Sequence, residues 1–188
     1  MIRSLAKLLS AHMKIKTVFL DRDGIINEPV MRSSIVSSPR ALSEFKLAHD
    51  FPELYERISG LNLFVVSNQP DVARGLLTQS VLSQINAFLS ERFCFREIIY
   101  CVHDDEHNCS CRKPKPGMIQ TLLRKHDLAA DEAVIIGDSY KDILAGQGAG
   151  VRTIYCRRSY NSTISCEPDY LVNGLAEIAI LPMFTGQS

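Results

Sequence analysis

Two carboxylates stand one residue apart in Asp21-Arg22-Asp23-Gly24, directly after the apolar run Thr17-Val18-Phe19-Leu20. Such a pair can divide labour, one carboxylate attacking as a nucleophile while the other carries a proton. Taken alone, the pattern equally suits a solvated turn after a strand. Ser67-Asn68-Gln69 ends a second apolar run. A hydroxyl and free backbone amides at a strand end can bind phosphate oxygens, although a cap or turn uses the same residues. Arg74, a little further on, is either surface charge or a second phosphate ligand. Arg112-Lys113-Pro114-Lys115-Pro116-Gly117 is a basic turn stiffened by two prolines. It suits the neutralisation of a phosphoryl group during transfer, and also an ordinary solvated turn. In Gly137-Asp138-Ser139-Tyr140-Lys141-Asp142, Asp138 is placed to hold a hard cation shared with Asp21. Mg²⁺ takes carboxylates, a carbonyl and waters in such a position. Asp142, one helical turn on, either orients a metal-bound water or answers the positive end of its helix, and is expected in a supporting role.

These residues need elements to present them. Lys16–Leu20, Leu61–Val66, Glu97–Val102, Ala133–Gly137 and Arg152–Tyr155 read as short buried strands, and Tyr170-Leu171-Val172 as a further one. Helices are expected over His49–Ser59, with Gly60 as its C-terminal cap, from the N-cap Thr78 to Phe93, over Gly117–His126, Tyr140–Gly148 and Gly174–Ile180. Leu82, Ile85, Leu89 and Phe93 mark one face of the second. Glu28–Lys46 is polar and serine-rich and reads as a long loop, where loops of such length usually carry function. Strands alternating with helices imply an α/β fold, a doubly wound parallel sheet covered on both faces. In such a sheet Asp21, Ser67, the Cys/His cluster and Asp138 leave the same edge, where ligands bind.

Cys101-x-His103 and Cys109-x-Cys111 bring three thiolates and an imidazole together just before Arg112, the ligand set of a closed structural Zn²⁺ site. His107 is an alternative ligand. A redox pair at Cys109 and Cys111 would leave Cys101 and His103 unexplained. The zinc would pin the loop that presents Arg112 and Lys113. A cysteine cluster of this kind, rather than a disulfide framework, suits a reducing cytoplasm. The 188 residues carry no formal net charge and are 46% hydrophobic, an ordinary globular composition that argues against a broad nucleic-acid footprint. No apolar run is long enough to span a bilayer. Residues 1–15 are basic and mildly amphipathic, and are expected to be an extension ahead of a single domain over 16–188, with Met1 an upstream start codon and Met13 the true start.

The ordered series D-x-D-G, S-N-Q, R-K-P and G-D-x-x-x-D, each element after a strand, resembles the haloacid dehalogenase superfamily of phosphohydrolases over Lys16 to about Pro182. The short zinc loop is similar to that of the subgroup containing D,D-heptose 1,7-bisphosphate phosphatase and histidinol phosphatase, with Val66-Ser67-Asn68-Gln69, Ala73-Arg74-Gly75-Leu76 and Pro116-Gly117-Met118 nearer the heptose branch. The resemblance implies a Rossmann-like core without a separate cap domain. It implies a two-step transfer in which Asp21 forms an aspartyl-phosphate and Asp23 protonates the leaving oxygen, then takes a proton from water. It also implies Mg²⁺ held by Asp21, the Asp23 carbonyl and Asp138, with Ser67 and Lys113 on the transferring oxygens. Asn68, Gln69, Arg74 and Arg112 would contact substrate. The implied substrate is a small phosphorylated sugar, first the 7-phosphate of D-glycero-D-manno-heptose 1,7-bisphosphate on the way to lipopolysaccharide core, then histidinol phosphate or another sugar or nucleotide phosphate. A monomer is expected. The chain departs from the heptose pattern at Ser67 for Thr, Pro70-Asp71 for Ser-Gly, Ser139 for Lys, and Glu28–Lys46 for a Gly-Tyr-Val segment. Arg32 and Arg40 in that stretch either meet a second phosphate or lie on the loop surface. A non-catalytic zinc-stabilised binding module and a thiol-redox protein are the other classes the residues allow.

Overall fold

The computed structural model describes residues 14–161, 165–178 and 180–184. Six parallel strands form one sheet in the order β5-β4-β1-β6-β7-β8, with β1 (Thr17–Leu20), β4 (Asn62–Asn68), β5 (Glu97–Cys101), β6 (Ala133–Gly137), β7 (Arg152–Cys156) and β8 (Tyr170–Val172). The chain winds outward from β1 through β4 to β5, then crosses to β6 on the other side of β1. That reversal opens a crevice at the carboxyl ends of the central strands, where open α/β sheets bind ligands.

Side chains alternate across each strand and so fill two cores. Val18, Leu20, Leu63, Val65, Val134 and Ile136 face α1 (Phe51–Ile58), α2 (Gln79–Arg92) and α5 (Leu175–Ile178). Phe19, Phe64, Val66 and Ile135 face α3 (Gly117–Lys125) and α4 (Tyr140–Ala149). Register is fixed because both faces of β1 are fully buried, so a slip by one residue would exchange the two cores. The Thr78 hydroxyl accepts from Val81 N and caps α2. Gly150, at φ 76°, closes α4 in the left-handed region. Gly60 does not take up that conformation; α1 ends at Ser59 in the right-handed region.

The expected loop over Glu28–Lys46 contains a β-hairpin, β2 (Val30–Arg32) and β3 (Ile35–Ser37), followed by a turn of 3₁₀ helix at Leu42–Glu44. Its two-residue turn is Ser33-Ser34, with φ of 47° and 68°. Two positive φ values are the type I′ signature that Asn-Gly normally announces. Two serines do not announce it. Of the N-terminal extension, residues 1–13 lie outside the described residues. Ile15, expected to belong to it, is fully buried in the first core. The last helix is shorter than expected, ending at Ile178.

Replacing Ser33-Ser34 by Asn-Gly should strengthen the hairpin, because both residues tolerate positive φ at lower cost. Hydrogen exchange of amides in residues 30–37 should slow; faster exchange would contradict the turn type.

Candidate active site

Lys113 is the hub of the crevice. It is buried, and its ammonium reaches Asp21 Oδ1 at 2.8 Å, Asp142 Oδ1 at 2.5 Å and the Val66 carbonyl at 2.8 Å. Burial alone would lower its pKa, but the Asp142 and Asp21 carboxylates outweigh it and hold the ammonium above the usual lysine range. The Lys113 peptide is clamped from β4: Asn68 Nδ2 donates to Lys113 O at 2.9 Å, and Lys113 N donates to Asn68 Oδ1 at 3.0 Å. The Lys113–Pro114 peptide is cis. Asp142 is the third helical residue of α4. Its second oxygen accepts from Ser139 N at 3.1 Å, while the Ser139 side chain caps the helix in return. Both Asp142 oxygens are therefore committed to the protein, in keeping with a supporting role.

Asp21, Asp138 and Asp142 each offer a carboxylate oxygen within 4.8 Å of the others. Burial, then the Asp142 charge, pushes Asp21 well above the usual carboxylate range and Asp138 up to about 7. Three carboxylates thus face one ammonium. The surplus negative charge and the hard oxygen donors fit a divalent cation of the Mg²⁺ type, for which Asp21 and Asp138 are better placed than Asp142, whose two oxygens are both committed to Lys113 and the helix cap. Tyr160 OH donates to Asp138 Oδ2 at 2.8 Å, and Asn161 Nδ2 donates to the Asp138 carbonyl at 2.7 Å. Both follow β7 and set the orientation of Asp138. Gly24, at φ 95°, lies so close that an added Cβ would fall 2.2 Å from Asp138 Oδ2.

Asp23 is held differently. Arg22, only 1% exposed, donates to both of its oxygens at 3.0 Å. Asn27 Nδ2 donates to Oδ1 at 2.9 Å, Gln69 Nε2 to Oδ2 at 2.7 Å and Ser38 Oγ to Oδ2 at 2.8 Å. Burial raises the pKa of this carboxyl, but Arg22 and the hydrogen bonds from Asn27, Gln69 and Ser38 prevail and lower it. Gln69 also donates to Ser67 Oγ at 2.8 Å. Gln69 was expected to contact substrate. It is instead fully buried, and its amide is spent bridging Ser67 and Asp23. Asn68 lines the crevice, but both its amide atoms serve the Lys113 peptide.

The crevice has a volume of 560 Å³. Its floor carries Asp21, Asp23 and Lys113, and the hairpin forms one wall through Arg32, Ile35, Val36 and Ser38. Arg74 and Arg112 line it, each with acidic partners. Arg74 grips Asp104 at 2.5 and 2.8 Å, and Arg112 Nε donates to Asp105 Oδ1 at 2.6 Å. Arg40 Nε donates to Asp71 Oδ2 at 2.7 Å, and Arg32 pairs with Glu44.

Beside the crevice, Cys101, Cys109 and Cys111 Sγ and His103 Nδ1 surround one point, five of their six separations lying between 3.1 and 3.5 Å. A tetrahedron with Zn–S of about 2.3 Å has edges on the order of 3.5–3.8 Å, so donor type and shape both fit Zn²⁺. Burial and the Cys111 hydrogen bond push the Cys101 thiol up to about 12, disfavouring the thiolate that a bound cation would hold. His107, the alternative ligand, is engaged elsewhere: its Nδ1 accepts from Asp104 N at 3.1 Å in a capping box.

Ser38, Asn27, Arg22, Tyr160 and Asn161 complete the site without having been singled out from the sequence. Arg22 had a signal, since a charged residue between two strand-end carboxylates must pair with one of them or face solvent. Ser38 and Tyr160 sit far from any motif.

A family model described as HAD-hydrolase-like matches residues 110–178. A Helicobacter pylori protein named D-glycero-beta-D-manno-heptose-1,7-bisphosphate 7-phosphatase is 34% identical over 146 residues, covering 73% of this chain and 80% of the relative. A Photorhabdus laumondii protein, named the phosphatase of the alpha anomer, is 27% identical over 187 residues, covering 90% and 98%. The crystal structure of D,D-heptose 1,7-bisphosphate phosphatase from B. bronchiseptica, complexed with magnesium and phosphate, superposes with a TM-score of 0.74 at 24% identity, over 88% of this chain and 96% of that one.

The raised carboxylates make a prediction about stability. A carboxyl that folding raises to about 7 keeps a proton that the unfolded chain has released, so its contribution is full below about pH 4 and is lost as pH rises through 7. In chelator, the protein should melt higher at about pH 5.5 than at about pH 8. The difference should shrink in Asp138→Asn and on adding Mg²⁺. An equal or opposite pH dependence in the two proteins would refute the charge surplus.

Proposed function

The chain belongs to the haloacid-dehalogenase-like phosphatases, in the family of the heptose-1,7-bisphosphate 7-phosphatases, and on that premise we propose that it removes the 7-phosphate of D-glycero-D-manno-heptose 1,7-bisphosphate. The reading rests above all on one observation: Asp21, Lys113 and Asp138, from separate parts of the chain, meet at one place, with Lys113 2.8 Å from Asp21 and carboxylate oxygens of Asp21 and Asp138 within 4.8 Å of each other. Relatives carry the names of both anomers, so the choice at C1 belongs to the crevice wall and not to the shared floor. The product would be a heptose 1-phosphate for nucleotide activation toward lipopolysaccharide.

Asp21 Oδ attacks phosphorus as the bond to the sugar oxygen breaks, giving an aspartyl-phosphate. Lys113 lies 2.8 Å from the attacking carboxylate and aligns it while countering phosphate charge. Asp23 gives its proton to the departing sugar oxygen, then takes one from the water that releases phosphate. Ser67 Oγ, fixed by Gln69, offers its hydroxyl to a transferring oxygen. Asp21, the Asp23 carbonyl and Asp138 would hold Mg²⁺, which would supply the charge neutralisation that lets a carboxylate approach a phosphate dianion. Arg112 and Arg74 reach the far part of the sugar. The Cys/His cluster would hold a structural Zn²⁺ and fix the loop from which Asp105 and Asp104 position those two guanidinia. No helix among the described residues is long and apolar enough to cross a membrane. We place the enzyme in the cytoplasm, acting on a free small molecule as a monomer.

Asp21→Asn should cut phosphate release by at least about a thousandfold while leaving zinc content and the folded state intact, at a lower melting temperature because Lys113 loses one of its countercharges. Substantial residual turnover would reject the nucleophile. Comparing kcat/KM on both heptose bisphosphate anomers and on histidinol phosphate tests the substrate; preference for histidinol phosphate would reject it. Stripping zinc should leave Asp21 and Asp138 in place but loosen Arg112, so KM for the bisphosphate should rise more than kcat falls. The reverse split would argue against a role in presenting the arginines.

A further inference from the structure

Four side chains donate to Asp23. The Arg22 guanidinium and the NH₂ groups of Asn27 and Gln69 can only donate. Ser38 Oγ, 2.8 Å from Asp23 Oδ2, can donate or accept. A protonated carboxyl ringed by fixed donors would set its own O–H against an N–H. Ser38 is the one of the four that can turn its hydrogen bond round by rotating a single O–H bond, without exchanging the oxygen and nitrogen of an amide.

The protein takes trouble to bring Ser38 there. Arg32 NH1 donates to the Ser38 carbonyl at 2.9 Å, and Arg40 N donates to Glu44 Oε2 at 2.7 Å. Beyond them, Arg40 Nε donates to Asp71 Oδ2 at 2.7 Å, tying the hairpin to the loop after β4. The segment that carries Ser38 is thereby anchored at Asp71, beside the crevice floor.

We propose that Ser38 is a positioning residue for Asp23, the hydrogen-bond partner that lets the carboxyl alternate between its protonated and ionised forms without losing its place. The inference rests on Asp23 as the proton carrier of the proposed reaction. Before transfer, the Asp23 O–H lodges on Ser38 Oγ. As Asp21 bonds to phosphorus and the bond to the sugar oxygen breaks, that proton passes to the leaving oxygen and Ser38 turns to donate. When water attacks phosphorus and the Asp21–phosphate bond breaks, Asp23 takes the water proton and Ser38 accepts again.

Leaving-group dependence separates this role from a merely structural one. An alkyl phosphomonoester that the wild-type enzyme hydrolyses needs a proton on its leaving oxygen; p-nitrophenyl phosphate does not. The readout is the ratio of kcat/KM for the alkyl ester to that for the aryl ester, measured for wild type, Ser38→Ala, Ser38→Thr and Asp23→Ala, with zinc content and melting as checks of folding. Ser38→Ala should lower the ratio about tenfold, the effect of one hydrogen bond to a charged group. Ser38→Thr, which keeps the hydroxyl, should restore it to within about threefold. Asp23→Ala should lower it about a hundredfold or more. If Ser38→Ala slows both substrates alike or neither, while Asp23→Ala discriminates, the role of Ser38 is refuted and the reaction stands. If Asp23→Ala fails to discriminate, the assignment of Asp23 falls, and the inference with it.

Discussion

A buried ammonium between one buried and one half-buried carboxylate organises this molecule. Lys113 has no water to fall back on, so its charge must be met by Asp21, Asp142 and the Val66 carbonyl. Each partner belongs to a different part of the fold: the tip of β1, the first turn of α4 and the end of β4. Removing one member of such a set costs about 3–5 kcal/mol, because it strands a charge inside the protein. The parallel sheet is what makes the meeting possible, since it sends the strand ends to one edge. In return, the ionic contacts fix the spacing of those ends. The same balance leaves an unmatched negative charge at Asp21 and Asp138, which suits a divalent ion and the phosphate that follows it.

Much of this was legible in the amino acids. Strand tips could be found because β1 and β6 are unbroken apolar runs ending at Asp or Gly-Asp, and because a fully buried strand has no other way to read. The metal-type clusters were legible because ligand chemistry is written in residue type and spacing. The hairpin was not. Its turn is Ser33-Ser34, whose positive φ values come from the tertiary setting and not from turn-forming residues. Direction was the second thing hidden. Ser67, Asn68 and Gln69 are adjacent in sequence, yet one is buried and accepts from Gln69, one lines the crevice and clamps the Lys113 peptide, and one lies wholly buried between Ser67 and Asp23. A strand tip where the chain begins to turn no longer obeys simple alternation.

Two inserted segments build the walls of the crevice on a floor supplied by the sheet. The Cys/His loop enters from the end of β5, and the hairpin enters from the loop after β1. Neither contributes the attacking group. Both reach the reacting residues at second hand, the first through Asp104 and Asp105 on the arginines, the second through Ser38 on Asp23. Changes in either segment can therefore reshape the crevice without disturbing Asp21, the proposed nucleophile.

None of the four guanidinia lining the crevice is idle. Arg32 holds Glu44, Arg40 holds Asp71, Arg74 holds Asp104, and Arg112 holds Asp105. An arriving dianion does not fall into a vacant socket; it bids against a resident acid, and each grip it gains releases an internal one. Affinity becomes the small remainder of an exchange, which favours a catalyst that lets its product go.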